Sequence, residues 1–242
     1  MNVLLAVLVA FPVVLMYHRI DVSSPGDRIS QRLTISPAQF AAELLRIQQK
    51  GLRAVGVGEL VSEMAAHRAP QRAVVITFDD GYSDQFRYAL PLLQRFGDRA
   101  IFFVNSGTIG TPGHLNWREV EAMSRAGMSI GCHGVSHVNL ASLSSSQQGY
   151  QIEGCVRALG AHLQTAIVAY AYPSGGFNAE TIDLEQRAGI LLGFTTDPRF
   201  QRDGTSPYQL TRRRIVCGMS DERFGKILSR APVFVDVDSP SR

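Results

Sequence analysis

Two short stretches of the sequence gather residue types that do chemistry. "TFDDG" (77–81) puts two aspartates side by side where an apolar run stops, and "HGVSH" (133–137) puts two histidines four apart just after another such run. On a helical turn, residues i and i+4 share one face, which brings two imidazoles to one ion. One added carboxylate completes a two-His, one-Asp set with open positions for water, suited to Zn²⁺, Fe²⁺, Co²⁺ or Ni²⁺. One of Asp79 and Asp80 would hold the ion. Its neighbour would take a proton from water, whose pKa zinc lowers to about 7. The bland alternative for the pair is an N-cap of the next helix. A cap needs only one acid, and Ser83 or Asp84 is at hand to supply it. Strand neighbours normally diverge, so both carboxylates face one pocket only if the chain bends, and Gly81 marks the break.

The elements that must position these residues alternate along the chain. "PVVLMYH", "LRAVGV", "RAVVITF", "RAIFFVN", "MSIGC", "AIVAYAY", "ILLGFTT" and "RRRIVC" read as strands. Helices are predicted between them. "SPAQFAAELLRIQQKG" opens on Ser36 as N-cap with Pro37 in the first turn and stops at Gly51. "VGELVSEMAAH", "WREVEAMSRAG", "SSSQQGYQIEGCVRALGAHL", "NAETIDLEQRAG" and "DERFGKILSR" follow suit, and "DQFRYALPLLQRFG" carries a kink at Pro91. Repeated βα units call for parallel strands and right-handed crossovers. Polar residues gather at strand ends, as in a βα-barrel whose chemistry sits at the C-terminal mouth. The expected fold is a single α/β domain, a distorted (β/α)7-8 barrel, over residues 11–230. Residues 1–10 are read as an apolar segment left from an export signal or anchor, and residues 231–242 as a flexible tail.

Composition narrows the classes. The chain has 242 residues, 45% of them hydrophobic, enough for a sizeable core. A net charge of +3 from 24 basic and 21 acidic residues, scattered along the chain, gives no footprint for nucleic acid. Arg212, Arg213 and Arg214 form the one basic cluster, read as a strand end ahead of a phosphate patch. Cys132, Cys155 and Cys217 have no finger or redox spacing, and their odd number argues against a disulfide framework, so all three are expected to be small buried residues. The apolar start, "MNVLLAVLVAFPVVLM", is short for a membrane span, which needs about 18 residues or more. It lacks the basic start and cleavage site of a signal peptide. Membrane association and oligomeric state stay open.

With these residues in place, the chain resembles the polysaccharide deacetylases of carbohydrate esterase family 4. "TFDDG" is similar to the family's first motif, "HGVSH" to the second and "AYPSGG" (171–176) to the third, which forms a groove wall. The resemblance implies that Asp79 is the base, and that Asp80, His133 and His137 hold the metal, with Zn²⁺ placed ahead of Co²⁺, Ni²⁺ and Fe²⁺. It implies a distorted barrel, an N-acetylglucosamine-containing polysaccharide or oligosaccharide as substrate, and an extracytoplasmic, periplasmic or secreted, location.

Three departures from the pattern stand out. Gly134 replaces the usual Ser or Thr after the first histidine, removing a loop hydrogen bond. Ala171 and Tyr172 precede Pro173 where the family often has an arginine that orients the base, and Arg212 is a candidate replacement. No histidine follows His162, where many members keep a general acid. A subgroup with circularly permuted motifs, which includes deacetylases of poly-β-1,6-N-acetylglucosamine, has its acid in an N-terminal "YH". "LMYHRI" (15–20) matches it and gives the role to His18, with His114 as the competitor. Tyr172, Pro173, Trp117 and Arg212 are assigned to substrate binding, and Tyr17 and Phe177 are further rings for sugar stacking. A backbone N–H near Tyr172 is a candidate for the oxyanion. The expected reaction is metal-dependent hydrolysis of an N-acetyl group. Its rivals are an amidase or O-acetyl esterase on a small substrate, and a glycan-binding module with a relict metal site.

Overall fold

The computed structural model describes residues 11–23, 26–66, 68, 70–197 and 206–229. The expectations for residues 1–10 and 231–242 lie outside the described residues. In chain order the elements are β1 (Val13–Tyr17), β2 (Arg19–Ile20), α1 (Arg28–Leu33), β3 (Thr34–Ile35), α2 (Pro37–Gln49), β4 (Arg53–Ala54), α3 (Val57–Ala65) and β5 (Ala73–Phe78). A π-helical stretch (Gln85–Ala89) leads into α4 (Leu90–Phe96), then β6 (Ile101–Val104), α5 (Trp117–Arg125), β7 (Ser129–Cys132), α6 (Ser145–Leu163) and β8 (Ala169–Ala171). Last come α7 (Ala179–Arg187), β9 (Leu192–Thr195), β10 (Leu210–Arg214) and α8 (Asp221–Leu228).

Strands β1, β10, β9, β8, β7, β6 and β5 follow one another around a ring that closes by the pairing of β1 with β5. Every pairing is parallel. β4 adds a short pairing at the start of β5 only, Arg53 to Ala73 and Ala54 to Val74. The result is a closed seven-strand parallel barrel wrapped by helices, the distorted (β/α)7-8 barrel expected.

Alternation along the strands divides the apolar residues into two layers. Val14, Val75, Ile101, Phe103, Ala169, Ala171, Leu192, Phe194 and Leu210 fill the barrel, with Val57 and Leu60 of α3 in the same cluster. Leu15, Tyr17, Val74, Ile76, Phe78, Phe102 and Val104 point outward to Phe40, Leu44, Leu93, Val120, Ile152 and Leu159 of the helices. Carried one step past β1, β5 and β7, the inward parity reaches His18, Asp79 and His133, and within β10 it falls on Arg212, so the same alternation that packs the core delivers the chemical groups to the mouth.

Ser36 caps α2 as expected, its hydroxyl accepting from Gln39 N at 3.1 Å. The π-helical stretch runs through helical backbone at Ala89 and Leu90 straight into α4, so Pro91 lies inside a continuous helix and the widened turn stands where its missing N–H interrupts the ladder, in keeping with the kink expected there. Several expectations are corrected. The last strand is "LTRRR", two residues earlier than "RRRIVC". α1, β2 and β3 lie in a stretch to which no element was assigned; β2 and β3 pair as a two-stranded parallel sheet. Neither Asp80 nor Asp84 is a side-chain cap. Asp84 accepts from Ile20 N at 3.0 Å and Arg19 Nε at 2.8 Å, holding β2 against the barrel. Cys132 and Cys155 form a disulfide, with Cα atoms 6.0 Å apart, and Cys217 is exposed. An odd count leaves one thiol over but does not forbid one bridge. The outward parity of Cys132 faces it to the middle of α6.

Candidate active site

Asp79 and Asp80 follow β5 directly, and the chain turns left-handed at both Asp80 (φ 72°) and Gly81 (φ 70°). Two successive positive φ angles reverse the outward direction that Asp80 would take in a continued strand. The conformation is strained for an aspartate and easy for glycine. It is held from both sides: Asp79 N donates to Tyr17 O at 3.0 Å, and Asn105 Nδ2 donates to Asp80 O at 3.4 Å. Gln85, wholly buried, uses its amide hydrogens on two carbonyls, Asp79 O at 2.6 Å and His18 O at 2.7 Å. One side chain thereby fixes the ends of β1 and β5 together. Sequence reasoning did not pick out Gln85; a glutamine one turn past a reactive strand end carries no distinctive signal.

His133 leaves β7 on its inward face. Its Nδ1 is 2.6 Å from Ala171 O, which fixes Nδ1 as the protonated nitrogen and leaves the Nε2 lone pair free. His133 Nε2 lies 3.5 Å and His137 Nε2 3.3 Å from the same atom, Asp80 Oδ1. The segment between them is a turn, not a helix, and His137 reaches the site through a positive φ of 54°. Gly134, at φ 82°, sits where a Cβ would come within 3.1 Å of Gln151 Oε1 and 3.2 Å of Tyr170 OH. Gln151 of α6 compensates for the absent Ser or Thr. Its Oε1 accepts from Val135 N at 2.8 Å and Ser136 N at 3.0 Å, and its Nε2 donates to Ser136 Oγ.

Asp80, His133 and His137 bring one ligand atom each within 4.8 Å of one another. Among the described residues Asp80 Oδ1 is buried without a hydrogen-bond partner, and it faces the Nε2 atoms of both imidazoles. Two imidazole nitrogens and a carboxylate oxygen converging on one point fit a divalent cation.

Asp79 lies beside this triad, its Oδ2 3.9 Å from His133 Nε2. Arg212 grips it with two parallel hydrogen bonds, Nη1 to Oδ1 at 2.5 Å and Nη2 to Oδ2 at 2.8 Å. The Arg212 side chain is 0% exposed, its Nη1 also reaches Thr77 Oγ1 at 3.3 Å, and its guanidinium lies 5.5 Å from the centre of the Phe103 ring. Burial raises the Asp79 carboxyl, but Arg212, His133 and His18 outweigh it and hold the group far below the usual range. His18, at the end of β1, has its Nδ1 buried without a hydrogen-bond partner among the described residues. Burial lowers its imidazole, and Asp79 and Asp80 pull it back up.

The residues assigned to substrate binding fall elsewhere. Arg212 is beneath Asp79, with no surface for a ligand, and holds that carboxylate. Tyr172 is buried. Its OH meets Glu185 Oε2 at 2.7 Å and Tyr208 O at 2.9 Å, its ring stacks on Phe177, and its N–H is taken by Phe194 O, so it offers neither a sugar platform nor an oxyanion donor. Pro173 is buried too. Trp117 stacks on His162 with ring centres 3.6 Å apart, joining α5 to α6 in the outer layer. Tyr17 is a core residue whose OH donates to Glu43 Oε2. His114 stacks on Tyr82, and the Arg19 guanidinium lies 4.5 Å from the centre of the same Tyr82 ring.

The sequence pattern of the polysaccharide deacetylase family matches residues 66–193, which include both aspartates and both histidines of the site. The chain is a polysaccharide deacetylase family member. YxkH of Bacillus subtilis (strain 168), which carries the same family name, is 31% identical over 215 residues, spanning 88% of this chain and 74% of YxkH. The poly-β-1,6-N-acetyl-D-glucosamine N-deacetylase of Staphylococcus aureus (strain N315) is 21% identical over 219 residues, 85% of this chain and 74% of that protein. Among solved structures, the Streptococcus pyogenes deacetylase PplD in complex with acetate superposes with a TM-score of 0.81 at 28% identity, covering 90% of this chain and 97% of PplD. The family makes the chain an enzyme of the deacetylase class acting on polysaccharide.

Proposed function

We propose that this polysaccharide deacetylase hydrolyses N-acetyl groups of an N-acetylglucosamine-containing glycan, using a divalent cation, Zn²⁺ first among the candidates, held by Asp80, His133 and His137. The observation that carries the reading is the pairing of Asp79 with Arg212 directly beside the triad. A carboxylate held ionised and oriented serves a base, and a site that only bound sugar or metal has no use for it. Bound there, the cation would supply Lewis acidity for the acetamide carbonyl and the attacking water.

The chain's own groups divide the proton transfers. Asp79 stays ionised because Arg212 faces it, and each of its oxygens keeps a lone pair beyond the arginine bond. It takes the proton from the attacking water. Departure of the amine needs a proton in return, and His18, emerging from the neighbouring strand, is the candidate donor. Asp79 and His18 are locked in mutual register by Gln85 and by the Asp79 N–Tyr17 O bond, so donor and acceptor are positioned by one piece of backbone.

The name of the Staphylococcus aureus relative supports poly-β-1,6-linked N-acetylglucosamine as the first glycan to test. The Cys132–Cys155 bridge supports an oxidising, extracytoplasmic location. No helix among the described residues is long and apolar enough to cross a membrane. The deciding experiment measures acetate release from β-1,6- and β-1,4-linked N-acetylglucosamine oligomers, after chelation and after metal is restored. Metal-dependent release from an oligomer supports the reading. Release only from small amides or O-acetyl sugars would replace it with an amidase or esterase, and binding without release would leave a relict site.

A further inference from the structure

A cleft of about 540 Å³ lies between α1 and the end of β10, lined by Arg28, Ile29, Arg32 and Leu33 of α1 and by Arg214 of β10. Arg214 is paired in register with Met16, two residues before His18, so the cleft adjoins the catalytic face. Its charge is among those acting on the His18 imidazole. Arg28 and Arg32 are one helical turn apart and project from the same side of α1. Some arginines elsewhere on the surface close ion pairs: Arg46 with Asp221, Arg53 with Glu59, Arg125 with Glu121 and Arg187 with Asp183. Among the described residues, Arg28, Arg32 and Arg214 have no carboxylate partner. The nearest acid in sequence, Asp27, is engaged with Ile29 N at 3.0 Å and Ser30 N at 2.9 Å. Between the arginines, Ile29 is 73% exposed and offers an apolar surface of the kind the C–H face of a pyranose covers.

Three unpaired guanidinium groups around an apolar patch recognise a sugar that carries an oxyanion. We propose that this cleft is a subsite for an anionic substituent, a carboxylate or a phosphate, on the sugar next to the one being deacetylated. The inference rests on the proposed glycan deacetylase activity for its register and on the cleft alone for its chemistry.

Direct binding tests it apart from turnover. The Asp79→Asn/Arg212→Met protein, metal-loaded, is titrated calorimetrically with three N-acetylglucosamine tetramers: neutral, carboxymethylated and phosphorylated at a free hydroxyl. Acetate release by the unsubstituted enzyme is measured on the same three. An anionic tetramer should bind about tenfold more tightly than the neutral one, the size of one charge-assisted contact. The advantage should shrink as ionic strength rises and disappear in Arg28→Gln/Arg32→Gln and in Arg214→Gln. A gain from the carboxymethyl group alone, or from the phosphate alone, identifies which oxyanion the cleft takes. Equal affinity for all three tetramers overturns the subsite, as does an advantage that survives the arginine changes or a failure of all three to bind. Absence of acetate release from every tetramer, with the arginine-dependent advantage intact, would overturn the deacetylase reading and keep the subsite.

Discussion

Arg212 and Asp79 meet face to face inside the barrel, two nitrogens on two oxygens, with both side chains withdrawn from solvent. Neither charge is tolerable there alone. Arg212→Met should therefore destabilise the fold by about 3–5 kcal/mol and abolish turnover, because the orphaned carboxylate takes up a proton and ceases to be a base. Asp79→Asn/Arg212→Met should recover much of the stability and none of the activity. Arg212→Lys keeps the charge and loses the fork, so it should fold but turn over about a hundredfold more slowly, the scale of a misoriented catalytic group. Thermal unfolding set against acetate release separates these outcomes. A double variant no more stable than Arg212→Met would mean the pair is not coupled.

The two adjacent aspartates are expected to fail differently. Asp79→Asn should retain the metal and lose turnover, whereas Asp80→Asn, His133→Ala and His137→Ala should lose metal, since each removes one of three ligands. Metal content after dialysis at micromolar free metal decides the matter. Full occupancy in both histidine variants would remove the triad from the mechanism, and a metal-free Asp79→Asn would exchange the roles of the two acids.

The sequence made these roles legible because strand alternation is a local rule. Once β5 and β7 are located, Asp79 and His133 must emerge at the mouth, and "DDG" forces a break there. The positive φ of Asp80 and the bidentate grip of Arg212 on Asp79 come from elsewhere. Arg212 is remote in sequence from Asp79, and only the closure of β10 on β1 and β1 on β5 brings them together. Tyr172 was misread for the same kind of reason. Its type suits a sugar platform, but its outward parity one step past β8 commits it to the helix layer, where its OH meets Glu185. α1 was missed because its six residues bury no side chain, so no apolar period marks it.

The Cys132–Cys155 bridge joins the residue before His133 to the helix that carries Gln151. Cys132→Ser/Cys155→Ser should lower stability by about 2–4 kcal/mol, the usual contribution of such a closure. It should also weaken metal binding modestly, because both anchors of the "HGVSH" turn depend on α6. Mild reduction of the unsubstituted protein should reproduce both effects, read by unfolding and by competition with a chromogenic chelator. Unchanged metal affinity after complete reduction would confine the bridge to stability.

Glu43 supplies a pH dependence separate from catalysis. It lies under β1, accepting from Tyr17 OH at 3.0 Å and Gln39 Nε2 at 2.9 Å. Burial pushes its carboxyl up from 4.5 to about 7, against the opposing effect of those two hydrogen bonds. The folded protein thus holds a proton that the unfolded chain gives up above pH 4.5. Stability from this group is fully present below the unfolded pKa and declines as pH rises to about 7, by roughly 3 kcal/mol in all. Glu43→Gln, which keeps the acceptor for Tyr17 and cannot ionise, should flatten that decline. Denaturant midpoints at a series of pH values between 4 and 8 provide the measurement. An unaltered slope in Glu43→Gln would assign the dependence to another buried acid, with Glu185 next in line.

His18 is the expected proton donor to the departing amine, and its environment says how its loss should appear. It ends β1 as Asp79 ends β5, and its Nδ1 is buried with no hydrogen-bond partner among the described residues. Burial lowers the imidazole and the neighbouring aspartates raise it, with burial prevailing. A weaker base is a stronger acid, so the protonated ring releases its proton readily, while fewer molecules carry it as pH rises. Turnover of an N-acetyl substrate should fall as pH climbs through this group. An activated aryl acetate, whose leaving group needs no proton, should lack that limb. His18→Ala should keep metal and fold, lose about a hundredfold or more on the amide and far less on the ester. An equal loss on both substrates would make His18 a residue that shapes the site. Near-normal amide turnover would move the search to His114, which stacks on Tyr82, two residues past Asp80.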